Sequence, residues 1–146
     1  MRYFDTSFLA PLILQEPTSA RIERFIVGLQ SDELAISHWT RVEFSSLLAR
    51  EVRMGGLKSQ TAEEADAQFE TIVKESFAVV LPNAGDFELA KKYLGTYEAG
   101  LRAGDALHLA IASARRAEVI YSLDKRLVKA GKALGLPVSA GIRDSA

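Results

Sequence analysis

Apolar positions follow two rhythms along this chain. Short runs rich in aromatic and β-branched residues, Arg2–Asp5, Leu34–Ser37, Phe77–Leu81 and Val119–Leu123, read as strands. Between them the apolar positions recur at helical spacing. Ile22, Phe25, Ile26 and Leu29 predict a helix opening at Thr18 or Ser19, and Phe69, Ile72 and Val73 one over 59–76. Val42, Leu48 and Val52 mark part of the buried face of a long helix running from Ser37-His38 to Gly55-Gly56. Further helices are predicted over Phe8–Gln15, capped by Ser7 with Pro11 tolerated near its first turn, over Asp86–Tyr97, and over Lys125–Leu134. Pro137-Val138-Ser139 predicts a last edge strand, and Gly141–Ala146 a frayed tail.

One stretch departs from simple amphipathicity. In Leu101–Ser113, LRAGDALHLAIAS, nearly every residue from Ala106 onward is apolar, so the helix is expected to be buried on most of its circumference. Yet Asp105 stands in its first turn, just after Gly104. A carboxylate is seldom buried without a partner, although the free N–H groups of a helix N-terminus suit an anion. Asp105 is therefore either a helix-start acid or a functional one, and the rest of the chain has to decide.

Strands alternating with helices predict one α/β domain over residues 1–146, with a mainly parallel sheet covered on both faces. Composition agrees, with 48% hydrophobic and 25% charged residues. The net charge of −1 gives no global basic signature, so a nucleic-acid partner must be held by a local patch. The absence of cysteine excludes a disulfide framework and thiolate metal sites. Strand-like residues from Arg2 leave no room for a signal peptide, and the apolar run Phe8–Leu14 is too short to span a bilayer. A soluble cytoplasmic protein without membrane attachment is the expectation. No Gly-x-Gly-x-x-Gly follows the first strand, and Ala130-Gly131-Lys132-Ala133 lacks the first glycine and the Ser/Thr of a phosphate loop.

In a parallel sheet the carboxyl ends of the strands share one edge, where ligands bind. Asp5 and Asp124 follow the first and fourth strands, Asp105 opens a helix expected to run back from that edge, and Glu43 lies about one turn into the helix after the second strand. Each acid alone has an ordinary explanation as a turn or surface residue. Together they form an oxygen-only set whose mutual repulsion calls for a cation, and Mg2+ or Mn2+ suits such ligands.

With these residues the chain resembles the PIN-domain nucleases, most closely the VapC-type toxins of toxin–antitoxin pairs. The matching pieces are Tyr3-Phe4-Asp5-Thr6-Ser7, Thr40-Arg41-Val42-Glu43, Gly104-Asp105-Ala106-Leu107-His108-Leu109-Ala110 and Tyr121-Ser122-Leu123-Asp124-Lys125-Arg126-Leu127, in the family's order and across nearly the full chain. The resemblance implies a three-layer α/β/α fold and metal-dependent endoribonuclease activity on RNA. It also implies dimerisation and inhibition by a cognate antitoxin protein. The family's acids map onto Asp5, Glu43, Asp105 and Asp124, and its hydroxyl near the metal onto Thr6 or Ser7 and less directly Ser122.

The chemistry of the residues assigns Asp5 and Asp105 as direct metal ligands. Glu43 binds directly, through water, or accepts the proton of the attacking water; Asp124 is an outer or second-metal acid. His108, three residues after Asp105, is read first as a hydrogen-bonded core histidine and second as a general acid. Trp39 is read as packing or interface rather than a base-stacking platform. Lys125, Lys129 and Lys132 share one helix face, with Arg126 beside them. They are either RNA-backbone contacts or an ordinary solvated face. Two other classes stand as alternatives: a catalytically silent RNA-binding or adaptor domain of the same fold, and a receiver-like phospho-acceptor domain.

Overall fold

The strands pair in the order β3-β2-β1-β4-β5, and every pairing is parallel. In chain order these are β1 (Arg2–Phe4), β2 (Leu34–Ser37), β3 (Ala78–Val80), β4 (Val119–Tyr121) and β5 (Val138–Ser139). Between them run the helices α1 (Thr6–Leu9), α2 (Ser19–Val27), α3 (His38–Arg53), α4 (Ser59–Ser76), α5 (Ala84–Leu94), α6 (Ala103–Ala114) and α7 (Lys125–Ala133). This computed structural model describes residues 1–29 and 32–142. Among them no helix is long and apolar enough to cross a membrane.

The chain lays β1, β2 and β3 outward in one direction, then returns to the other flank of β1 with β4 and β5. That reversal separates the connections leaving β1 and β4 and opens a crevice at their carboxyl ends. Strand alternation divides the core between the two faces. Tyr3 and Ile120 face the layer built on α6, whose Leu109, Ala110 and Ile111 are fully buried. Phe4 and Tyr121 face the opposite layer with Phe8, Ile22, Phe44 and Phe69. There Phe4 stacks on Tyr121 with ring centroids 5.0 Å apart.

Capping explains where several helices begin. Ser37 and Thr40 form a capping box at α3, and Asn83 and Asp86 another at α5. The latter starts α5 at Ala84, and Gly95 follows its end, so this helix is shorter at its C-terminus than the expected 86–97. Gly100, in the left-handed region (φ 68°), then turns the chain so that α6 starts at Ala103 rather than Leu101. The first helix also differs from expectation. Asp5, not Ser7, caps it, accepting from Phe8 N at 3.1 Å, because Asp5 is still extended while Ser7 is already helical. The helix then tightens to a 3-10 turn at Ala10–Leu12, where Pro11 has no N–H to continue the ladder.

Val42 is 57% exposed instead of buried, since α3 turns Thr40, Phe44 and Leu48 inward. Gly141 and Ile142, expected in a loose tail, pack on the core: a Cβ at Gly141 would meet Phe8, Tyr121 and Phe25 at 3.0–3.1 Å. The remainder of that tail, 143–146, lies outside the described residues. Asp86, 1% exposed, is a structural acid, clamped by Arg115 through two 3.0 Å hydrogen bonds.

Candidate active site

The site begins with register. Phe4 pairs with Tyr121, so the residues just beyond, Asp5 and Ser122, leave the sheet side by side. Ser122 Oγ donates to Asp5 Oδ2 at 2.6 Å and accepts from Asp124 N at 3.0 Å. Ser7 Oγ lies 2.8 and 3.0 Å from the two carboxylate oxygens of Asp5 and accepts from Leu123 N at 3.0 Å. Three hydrogens thus serve a carboxylate with about four lone-pair sites, leaving roughly one open. Asp5 is 3% exposed, and burial raises its pKa despite the lowering influence of His108 and these hydrogen bonds.

Glu43 arrives from the second turn of α3. Its Oε1 accepts from Thr6 Oγ1 at 2.6 Å and from His108 Nε2. His108 is 1% exposed, and its Nδ1 lies 2.8 Å from the Tyr3 hydroxyl, which lies 2.9 Å from Ser37 Oγ. Burial alone would raise Glu43 and lower His108. For Glu43 the contact with His108 outweighs burial, so it titrates below the ordinary range; for His108 Tyr3, then Glu43 and Asp5, outweigh it, so it titrates above. The favoured reading of His108 as a hydrogen-bonded core residue therefore meets the alternative: it is buried, and its partner is a site acid.

Gly104 is why Glu43 fits. A Cβ there would lie 2.9 Å from Glu43 Oε2 and 3.4 Å from the Trp39 ring, whose Nε1 donates to Gly104 O at 3.2 Å. Trp39 therefore packs α3 onto the first turn of α6, beside an apolar groove also lined by Val42, Phe87 and Leu94.

Asp105, one residue on, has no side-chain hydrogen bond among the described residues. Burial pushes its pKa up to about 6, and the like charges of Asp124, Asp5 and, to a smaller degree, Glu43 act in the same direction, against His108. The three other acids therefore all act on Asp105. Asp124 Oδ1 caps α7, accepting from Arg126 N and Leu127 N at 2.9 and 3.4 Å. The acceptor atoms left over are both oxygens of Asp105, Asp124 Oδ2 and Glu43 Oε2. Among the described residues no three acids or histidines are gathered closely enough to form a metal-ligand group as they stand.

The model of the family described as PIN domain matches residues 2–133. This chain belongs to the PIN domain family. No curated protein sequence matches it. Similar solved structures include VapC20 of Mycobacterium tuberculosis, a sarcin–ricin loop cleaving toxin (20% identity, 99% of this chain and 100% of that one, TM-score 0.65). VapBC-1 from nontypeable Haemophilus influenzae matches at 18% identity over 95% and 97% of the two chains, with TM-score 0.68. FitAcB from Neisseria gonorrhoeae matches at 16% identity over 94% and 96%, with TM-score 0.73. These likenesses show the three-layer PIN fold. Membership of this family leaves the receiver-like alternative without support.

Within this PIN domain the hydroxyls divide their work: Thr6 holds Glu43, while Ser7 and Ser122 hold Asp5. Lys125, Lys129 and Lys132 line one cleft beside Ser122, and Arg126 does not. Reasoning from sequence missed Tyr3, Ser37 and Arg21. A tyrosine alternating inward on a strand, with a hydroxyl needing a partner, was the available signal for Tyr3. Arg21 joins the lysines through the packing of α2, which no local pattern reveals.

Proposed function

We propose that this PIN domain is a Mg2+- or Mn2+-dependent endoribonuclease and the toxin of a toxin–antitoxin pair, with RNA as substrate, a cognate antitoxin protein as inhibitor and a second copy of the chain as partner. The observation that carries the reading is the like-charge pressure on Asp105 at the crevice between β1 and β4, in a chain of this family. Such a cluster is costly unless a cation neutralises it. The donor set fits Mg2+ or Mn2+ in kind: it is all oxygen, and it keeps unengaged acceptors on Asp105, Asp124 and Glu43 for an ion that retains several waters.

Asp105 and the remaining lone pair of Asp5 are the direct ligands in this reading, with Asp124 outside them. The metal, when bound, supplies charge neutralisation at a scissile phosphodiester and a more acidic water. Glu43, kept ionised by His108 and Thr6, is placed to orient water through Oε2 or to take its proton. Ser122 and Ser7 fix the Asp5 carboxylate against rotation.

The test is direct. Purified, antitoxin-free protein is incubated with total RNA in Mg2+, in Mn2+ and in EDTA, and fragment ends are mapped. Internal cleavage that chelation abolishes is expected. Cleavage unaffected by EDTA refutes the metal-dependent reading. RNA binding without any cleavage favours the silent adaptor domain instead.

A further inference from the structure

Next to the acids lies a region of opposite charge. A cleft of about 460 Å³ runs between α2 and α7. Among the described residues Arg21, Lys125, Lys129 and Lys132 line it, and no acid does. In a chain with net charge −1, this is a marked local excess of positive charge. Among the described residues none of these cations is engaged in an ion pair, although Arg2, Arg41 and Arg115 all are. Between the cations the wall is apolar, with Leu123 and Val128 half-buried. At one end stands Ser122, the residue whose hydroxyl holds Asp5.

Cationic side chains beside an apolar wall suit a ligand with anionic groups and a flat, largely apolar body. A nucleotide within a strand is such a ligand. The volume lies in the range of pockets that enclose small molecules, so one base and its sugar can enter. From Lys125 to Lys132 α7 rises about 10 Å, the length of roughly three stacked nucleotides, so the lysines can meet successive phosphates. Only a strand with unpaired bases can turn one into the wall. An acidic protein segment would satisfy the cations, but it has less use for the apolar wall and for continuity with Asp5.

We propose that the cleft between α2 and α7 is a nucleotide subsite that holds single-stranded RNA beside the cleaved bond, one base against Leu123 and Val128 and the adjoining phosphates on Arg21, Lys129 and Lys132. This rests on the ribonuclease reading above and adds where the strand lies and which residues set its affinity and local base preference.

The experiment measures cleavage and binding separately. Wild-type protein, Arg21→Glu, Lys129→Glu/Lys132→Glu and the milder Lys129→Ala/Lys132→Ala are assayed on a labelled single-stranded RNA containing a mapped cleavage site. Thermal melts check folding. The cleft variants are expected to raise the half-saturating RNA concentration at least tenfold and to leave the rate at saturation within about threefold. The alanine pair should also flatten the salt dependence of binding by about 0.7 in log–log slope for each lysine removed. Replacing bases near the cut with abasic sites, one at a time, should weaken binding at one position, and Val128→Asp should erase that difference. Unchanged half-saturation and salt slope in folded variants of an RNA-cutting protein overturn the subsite and leave the ribonuclease reading intact. Variants that bind RNA normally but lose an antitoxin's grip overturn it in favour of a protein-binding cleft. Wild-type protein that neither binds nor cuts RNA overturns both.

Discussion

His108 and Glu43, 65 residues apart in the chain, are joined by a hydrogen bond from Nε2 to Oε1 at the inner wall of the acid cluster. Because a carboxylate only accepts, Nε2 carries the proton, and Nδ1 faces the Tyr3 hydroxyl. The ring thus fixes which way Glu43 points. His108→Gln is expected to lower RNA cleavage about 10- to 100-fold, as loss of a supporting hydrogen bond at such a site commonly does. The pair also sets a pH window. His108 is raised and Glu43 lowered, so their stabilisation is full between the unfolded values of 4.5 and 6.5, is lost as pH falls from 4.5 through the lowered value of Glu43, and is lost as pH rises from 6.5 through the raised value of His108. Cleavage rates and pH-dependent melts of both proteins check this. A less stable variant that cuts RNA at the wild-type rate would make His108 a packing residue.

Gly104→Ala separates site from scaffold. Alanine is the better helix former by up to about 1 kcal/mol, so the melting temperature should hold or rise slightly. The new methyl would sit 2.9 Å from Glu43 Oε2, however, and the flexible end of Glu43 has to give way. Displacement of a positioned group by a fraction of an ångström to an ångström is expected to cost about 10- to 100-fold in cleavage rate. An alanine variant that melts normally and cuts normally would remove Glu43 Oε2 from the chemistry.

Asp86 supplies the contrast. It is the most buried acid among the described residues, yet Arg115 and the Asn83 backbone amide account for both of its oxygens. Asp86→Ala leaves the guanidinium without its partner and is expected to cost about 3 kcal/mol or more, a fall in melting temperature on the order of 10 °C. Cleavage per folded molecule should be unchanged well below that temperature. A large loss of activity in the folded variant would mean that α5 communicates with the site.

Which parts were legible in the sequence follows from the range of the forces involved. Apolar rhythm placed every strand, and topology, which sends the carboxyl ends of parallel strands to one edge, singled out the four acids as candidates. Helix ends were read less well. Asp5 and Ser7 are both good caps, and only the extended backbone of Asp5 against the helical one of Ser7 selects between them. Val42 shows a second limit: the periodicity of α3 fits more than one buried face, and the packing of Phe44 against Phe69 at 4.2 Å decides which. The hydroxyls of Thr6, Ser7 and Ser122 and the buried His108 were legible, but the chain from His108 to Tyr3 and Ser37 was not, because these residues meet only through long-range packing.

Asp105 offers the sharpest test of the cluster, since among the described residues its side chain has no hydrogen bond to lose. Its pKa is raised from 3.8 to about 6, first by burial and then by Asp124 and Asp5. A carboxyl raised on folding is protonated in the native state while still charged in the unfolded one, so its contribution to stability falls as pH rises between those two values and is flat above them. Asp105→Asn keeps the shape and removes the charge. Below about pH 4 the metal-free variant and wild type should melt alike. Above pH 6 the variant should be more stable by on the order of 1 kcal/mol, about 2–4 °C, a figure reduced for the partial solvation of this side chain. Loss of the attraction between Asp105 and the α6 N-terminus works the other way, but the upward shift shows that repulsion and burial outweigh it. Added Mg2+ should raise the melting temperature of wild type more than that of the variant, because stabilisation by a ligand follows its affinity. Melts at pH 4 and pH 7, in EDTA and in millimolar Mg2+, distinguish the outcomes. A variant that is less stable at pH 7 and keeps the full Mg2+ response would reduce Asp105 to a helix-start acid, and the cation would have to be held by the other three.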